Sequence, residues 1–559
     1  MNLTALPVEI LILILDPLGI HELAALCLTS RALHSLVTEY GWSLYLHNHP
    51  RPAPSLTAAR AHWCPHTRVR FDALTDAAWS AALAQAPALA SFIARPLSRT
   101  WAGKLQPVLA LSPARLVVAA GSTLYSYAFG ASGTGESAAP RVYAEGAVSL
   151  LKTPERPRNI TAITFVEDGA QDRTLDVAFQ DGSVERVYLT PTSDDSGSSL
   201  SFTRYTLPPI PHSDFIESFS AHSTTQLSLS ANGTASLHST TSPSPSSPTS
   251  SISLATRSWT ALLSLTSSTP YTAFGSSSRT PLAVHALSST GALLPRPLAL
   301  LHTARTADLP ADRLPSSAVY GLARGPIGAP WGASPMVLAA GWYDGKVRVY
   351  DLRAADRCSP FPFSSSPSSP LSTSRTPTPT PPPAPLRPML TLADRWSPEP
   401  IYALACGGGG GAAHIAAGTA RHSVVAFWDA RAASVPVSYL DASSGAGSSS
   451  FDVHANATAV GTSGVNVNGT DKSAAQGQPQ PQMPGRGWSV HAPGNDASPV
   501  YALALESARV WGVTQSRPFV YDFVSRLFLV FSSFLRFSSI IRVFSSFLFV
   551  YFIYLFNLF

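Results

Sequence analysis

Along the first fifty residues, apolar positions recur at helical spacing in three short groups. Thr4 can cap a first helix that has Pro7 in its opening turn and Glu9 near its positive end, and the apolar run continues to Leu15 before Asp16-Pro17 stops it. A second helix is predicted over His21 to Leu28, with Leu23, Leu26 and Cys27 on one face. Thr29 or Ser30 caps a third that carries Leu33, Leu36 and Val37, and Trp42 follows a break at Gly41. Three helices this short bury their own apolar faces poorly. Such a module is marginal alone and is expected to complete its core on a partner.

Further along, the period shortens to two and the pattern repeats. Three segments share one order: a Val/Ile-Tyr-x-Leu-Ala strand, a connection, an apolar strand ending in small residues, a turn, and an aromatic-Asp strand. They begin at Ala318, Pro400 and Pro499 and end near Arg353, Arg431 and Phe523. Tyr320, Tyr402 and Tyr501 are equivalent, as are Tyr350-Asp351, Trp428-Asp429 and Tyr521-Asp522. Asp344-Gly345 supplies the positive φ of a tight hairpin, and Val347 and Val349 alternate with Lys346, Arg348 and Tyr350, which predicts a strand with one face toward a core. Four weaker copies lie at 108–129, 160–190, 226–239 and 259–287, giving about seven units.

Between the two regions, 51–105 reads as a linker. Asp72 could cap a helix running to about Gln85, with Leu74, Ala77, Ala78 and Ala81 as one stripe and Trp79 and Leu83 beside it. Such a helix would set the orientation of the repeat region to the N-terminal module. Stretches 239–256, 354–398 and 432–497 are rich in Ser, Pro, Thr, Gly, Asn or Gln and read as disordered insertions. Residues 524–559 are dominated by Phe and Ser. Val543–Phe559 carry no charge, near the lower limit for a spanning helix, so the tail is either an artefact of repetitive translated sequence or a membrane anchor.

Two families are resembled by these motifs. Leu6, Pro7, Glu9, Ile10 and Leu11, the pair Leu23 and Leu26, the Cys27–Val37 segment and Trp42 follow the order and spacing of an F-box. The resemblance implies a Skp-type adaptor as partner and, through it, a cullin; Leu6, Pro7, Ile10, Leu11, Leu23 and Leu26 are then the candidate adaptor-binding residues. The Asp344–Arg353 and Trp428–Arg431 segments resemble WD repeats, although no Gly-His pair opens the units and the first four lack the Trp-Asp ending. The implied fold class is a small α-helical F-box (1–50) and helical linker (51–105), followed by an all-β, WD-repeat-like propeller of about seven blades with disordered insertions (106–523). The 418 residues of 106–523 exceed the roughly 280–315 that seven blades need, which leaves room for those insertions. A β-sandwich with additional strands is the alternative.

Composition narrows the function. Charged residues make up 13% and the net charge is +5 with no basic run, so a nucleic-acid partner is not expected. The four cysteines are scattered and no signal peptide is evident, which fits reduced thiols in the cytoplasm or nucleus. His62, Cys64 and His66 lack a fourth ligand, the Gly407–Gly411 run lacks the Lys-Ser/Thr of a phosphate loop, and no hydrolase or kinase signature occurs. No catalytic residue, metal or cofactor is assigned. The resemblance implies a non-catalytic substrate-recognition subunit of an SCF-type ubiquitin ligase, its target-binding residues unknown. The alternative is a WD-repeat scaffold unconnected to ubiquitin, attached to a membrane only if the tail is genuine. Arg353 and Arg431 occupy matching positions, where blade-end hydrogen bonding or phosphate reading could explain them.

Overall fold

The computed structural model describes residues 6–51, 54–56, 60, 62–83, 92–103, 105–129, 142–151, 158–167, 172–192, 199–207, 214–240, 248–301, 315–329, 331–332, 334–354, 386–394, 397–407, 412–431, 487–494, 497–506 and 508–523. Thr4 and the tail from 524 lie outside them.

Four helices form the N-terminal module: α1 (Val8–Leu15), α2 (Ile20–Thr29), α3 (Arg31–Leu36) and α4 (Trp42–Asn48). Pro7 occupies the N-cap of α1, where its missing N–H costs nothing. Ser30 rather than Thr29 caps α3, its hydroxyl accepting from the Leu33 amide at 3.3 Å. Gly41 does not break the chain: a π-turn over Val37–Gly41 carries α3 directly into α4. Space at Gly41 is tight, since a Cβ would stand 3.0 Å from Val37 and 3.2 Å from Leu23 and those side chains would have to give way. Leu15, Leu23, Val37 and Trp42 close the core of the module together with Val69.

Val69 belongs to α5 (Pro65–Leu83), which starts seven residues before the expected helix. Asp72 is therefore not a cap. It is buried in mid-helix and paired with Arg60. The buried face of α5 includes Val69, Asp72, Thr75 and Trp79, two of them polar, which hides the amphipathic pattern. The helix is about 28 Å long. Its first half packs on α4 and its second half on strands Val424–Asp429 and Gly487–His491 of the β region.

That region is a ring of antiparallel meanders. The first strands of successive sheets neighbour one another around the ring, and the strand Val500–Glu506 of the last sheet returns to Val108–Leu111 of the first. Second strands such as Val337–Trp342 and His414–Thr419 are buried along their whole length. Sheets packed on both faces read as continuous apolar runs, not alternating ones. The same packing corrects the one-sided strand expected at Lys346–Asp351: Arg348 and Tyr350 are buried like Val347 and Val349. Arg348 lies over the Trp342 ring at 4.9 Å and forks onto Asp344. At Gly345 (φ +74°) a Cβ would meet the Pro398 carbonyl at 2.5 Å, so this hairpin requires glycine twice over.

The architecture is a β-propeller. In place of seven separate blades, the described strands form five four-stranded sheets and one of eight. The eight-stranded sheet arises because Tyr271–Ser278, at eight residues, overruns the usual six and bridges onward through Ser277–Ala318 and Ser278–Ser317. The outer strands Ser250–Ser253, Leu390–Ala393 and Gly487–His491 fall inside stretches expected to be disordered insertions. Each is a short edge strand paired on one side only, so composition alone conceals it. The last blade borrows its outer strand from the linker: Ile93–Pro96 pairs antiparallel with Pro518–Asp522, from Ile93–Asp522 to Pro96–Phe519. The ring is thus closed by joining the two ends of the propeller chain.

Candidate functional site: the N-terminal docking face and its coupling to the propeller

Seven of the eight residues of α1 are apolar, yet only Leu11 and Leu15, one turn apart, are buried. Ile12 is half-buried, and among the described residues nothing covers the rest of the helix. Ile10 is 44% exposed and Leu13 68%, with Val8 and Ile14 also exposed, and Leu28 at the end of α2 is 89% exposed. Asn48 ties the far end of α1 to α4, donating to Asp16 Oδ1 at 2.9 Å, so the exposed face is held by a folded module.

The six candidate adaptor residues divide. Pro7 and Ile10 are exposed, and Leu6 and Leu26 are half-buried. Leu11 and Leu23 are internal: Leu23 is fully buried in the module's own core and Leu11 is nearly so, which corrects their placement on a docking face. Their leucines are sheltered by the helices themselves and by α5, not by the blades. Val8, Leu13, Ile14 and Leu28 are further exposed apolar residues that the sequence pattern did not single out. The available signal was a helix apolar almost all round, which has more apolar surface than one buried stripe can use.

Residues 3–40 match the family model described as F-box domain. The N-terminal module is an F-box. No curated protein matches the sequence. Similar solved structures include the WD40 β-propeller domain of Doa1, with 10% identity and a TM-score of 0.41 over 77% of this chain and 97% of that one. Another is Chaetomium thermophilum Sqt1 bound to the N-terminus of the ribosomal protein L10, with 12% identity and a TM-score of 0.39 over 74% and 81%. The propeller rests on the strand pairing described above, not on these likenesses.

Two contacts tie the linker to the propeller, through Ser55 and Trp79, and two ion pairs brace the linker itself. Arg51 forks onto Asp76 of α5 at 2.6 and 2.7 Å, and Arg60 pairs with Asp72. Ser55, in the turn Pro54–Leu56, donates from its amide and hydroxyl to Glu506 Oε1 at 3.1 and 2.9 Å. Burial pushes the Glu506 carboxyl up to about 7 despite those two bonds and the nearby Arg60. Trp79 enters the propeller core, stacked on Phe523 at 3.7 Å and 4.6 Å from the His414 ring. Burial pushes His414 down to about 4; Asp429 pulls the other way, but at 3.9 Å it is beyond hydrogen-bond range and is itself clamped by Arg431.

Arg431 and its counterpart Arg353 each fold back on the aspartate two residues earlier, so both serve blade-end structure. His66 packs on Trp42 at 5.3 Å and Cys64 Sγ lies 3.0 Å from Thr67 Oγ1. Among the described residues, no three His, Cys, Asp or Glu side chains are grouped to hold a metal, and no helix is long and apolar enough to cross a membrane. A cavity of about 390 Å³ lies beside the ring closure, lined among others by Arg99, Trp101, Thr123 and Tyr125.

Proposed function

We propose that this protein is the substrate-recognition subunit of an SCF-type ubiquitin ligase, acting in the cytoplasm or nucleus. Its F-box docks a Skp-type adaptor, and through it a cullin, while the propeller holds a target protein. The observation that carries the reading is the uncovered apolar face of α1 and Leu28 on a module that matches the F-box family. Fully burying one such Leu or Ile side chain is worth about 1.5–3 kcal/mol, so the face can support a specific interface. The adaptor surface in this proposal comprises Leu6, Pro7, Ile10 and Leu26 together with Val8, Leu13, Ile14 and Leu28. Leu11 and Leu23 act by supporting it from inside. The protein does no bond chemistry; it raises the effective concentration of a target lysine near the charged enzyme.

The eight-stranded sheet is read as two blades joined by a two-residue bridge, which gives the ring seven positions. The rival scaffold reading, with the helices merely capping the blades, is disfavoured because the helical core is completed by Val69 of α5. Co-purification decides between them. The Ile10→Asp/Leu13→Asp variant should lose adaptor binding by tenfold or more while its thermal unfolding stays unchanged. Retained binding would sink the proposal.

A further inference from the structure

The inner strands of the propeller carry a second pattern that the F-box does not use. Six of them slip register against the neighbouring strand at one equivalent place: 160/162, 216/218, 258/260, 319/321, 401/403 and 500/502. A bulge of this kind leaves one residue out of the ladder and re-aims its side chain. The residues so displaced are Thr161, Glu217, Trp259, Tyr320, Tyr402 and Tyr501, so the last four in chain order are all aromatic. Their rings meet between adjacent inner strands: Trp259 lies 5.2 Å from Tyr320, and Tyr320 lies 4.9 Å from Tyr402. Tyr343, 57% exposed beside the Asp344–Gly345 turn, joins Tyr320 at 6.5 Å. Tyr501 holds the equivalent bulge position on the next inner strand, Val500–Glu506, which neighbours Ile401–Cys406. The patch lies at the end of the ring where tight turns join second and third strands, since Val319 pairs with Trp342 and Val500 with Thr514.

Much of the charge beside this arc is already matched, with Lys346 exposed at the turn next to Tyr343. Arg257 lies over Trp259 at 4.1 Å and donates to Glu217 at 2.8 Å. Arg348 holds Asp344 next to Tyr343, and Glu399 faces Arg421 at 3.8 Å. At Trp259 and Tyr343 a phosphate would have to take Arg257 or Arg348 from its carboxylate, and a lysine would have to take Glu217 or Asp344 from its arginine; either exchange leaves a part-buried charge unpaired. What the arc offers is ring faces and neutral hydroxyl donors. An extended polyproline-type segment is complementary to both, because its pyrrolidine rings stack on aromatics and its carbonyls have no internal partner.

We infer that the arc Trp259–Tyr320–Tyr402–Tyr501, flanked by Tyr343, is the propeller's target-docking surface and that it takes an uncharged, extended, proline-containing peptide segment. The inference deepens the receptor reading and rests on it only for the segment belonging to a target protein.

The test uses the full-length protein mixed with a Skp-type adaptor, applied to an array of proline-rich peptides of about twelve residues with varied neutral residues between the prolines. Copies carrying phosphoserine or lysine at those positions share the array. Neutral peptides should bind, and the charged copies should bind more weakly. Tyr320→Ala/Tyr402→Ala should lower affinity about tenfold, with smaller losses for Tyr402→Phe, which keeps the ring, and for the exposed Tyr343→Ala. Three results would each overturn the inference: no neutral peptide retained, affinity unchanged in every variant, or tighter binding of the phosphorylated copies. Adaptor content is measured in the same samples. Adaptor retained without peptide binding sinks this inference alone; peptide binding without adaptor sinks the receptor reading alone.

Discussion

Trp79 is the residue on which the junction between F-box and propeller most depends, and its removal gives a calculable loss. Its indole is fully buried, stacked on Phe523 at 3.7 Å with planes 13° apart and edge-on to Phe427 at 6.0 Å. A buried tryptophan covers about 150–250 Å², which at about 25 cal/mol per Å² is roughly 4–6 kcal/mol, an upper bound. Measured Trp→Ala losses of about 3–5 kcal/mol bracket the same value. Among the described residues the indole N–H has no hydrogen-bond partner, so no polar contact seen there is lost with it. Trp79→Ala should therefore weaken docking of the second half of α5 by about 4 kcal/mol, close to a thousandfold in the local opening equilibrium. Hydrogen exchange checks this directly: amides of α5 should lose protection by two to three orders of magnitude while strands across the ring, such as Thr174–Phe179, keep theirs. His414 gives a second readout, because losing its tryptophan wall admits water and its titration should rise from about 4 toward the ordinary histidine value. Protection in α5 within threefold of wild type, with His414 unmoved, would refute the reasoning.

Three further outcomes follow from the same contacts. Glu506 is raised from 4.5 to about 7 in the folded protein, so its contribution to stability is fully present below pH 4.5 and lost as pH rises to about 7. Glu506→Gln, which still accepts from Ser55, should gain in melting temperature over wild type between pH 5 and 8; a constant offset would count against the clasp. In the F-box, Leu23→Ala should cost about 2–5 kcal/mol and unfold the module, whereas Leu13→Asp should leave unfolding unchanged and abolish adaptor capture; circular dichroism with pull-down separates the two. At the ring closure, Leu97 donates to the Pro518 carbonyl at 2.9 Å, and antiparallel alternation then aims the Arg95 N–H at Val520. Arg95→Pro should lower global stability by about 3 kcal/mol in urea titration, and an unchanged midpoint would mean the linker strand does not close the ring.

How far the sequence could be read depended on whether partners were near in sequence. The first three helices of the F-box and the hairpin at Asp344-Gly345 were legible because caps, breaks and turn glycines act over a few residues, whereas α4 was not, because Gly41 reads as a break. The strand Ile93–Pro96 was not, because its partner lies over 420 residues away and its own four residues carry no pattern. For α5 the helix was legible but not its start or its face. Asp72 and Thr75 look exposed until Arg60 and the Phe71 carbonyl are seen to satisfy them. Which apolar residues the F-box keeps for its own core was not legible: Leu11 and Leu23 share the apolar character of exposed Pro7 and Ile10 and differ only in which side of a helix faces the core.

These two failures of reading describe one device. The linker supplies both the helix that anchors Trp79 between blades and the strand that closes the ring, so the F-box cannot reorient without disturbing the last blade. A receptor that works by proximity needs such stiffness, because a target lysine gains effective concentration only if the span between its docking surface and the charged enzyme is fixed. The exposed α1 face and the aromatic arc are accordingly held at the two ends of a continuous packed path: α4, Val69, Trp79, Phe523 and the inner strands. If that path fixes geometry, Trp79→Ala should leave adaptor capture and peptide binding each intact when measured separately and still lower ubiquitin transfer to a tethered target. Transfer at the wild-type rate would show that the junction serves stability alone.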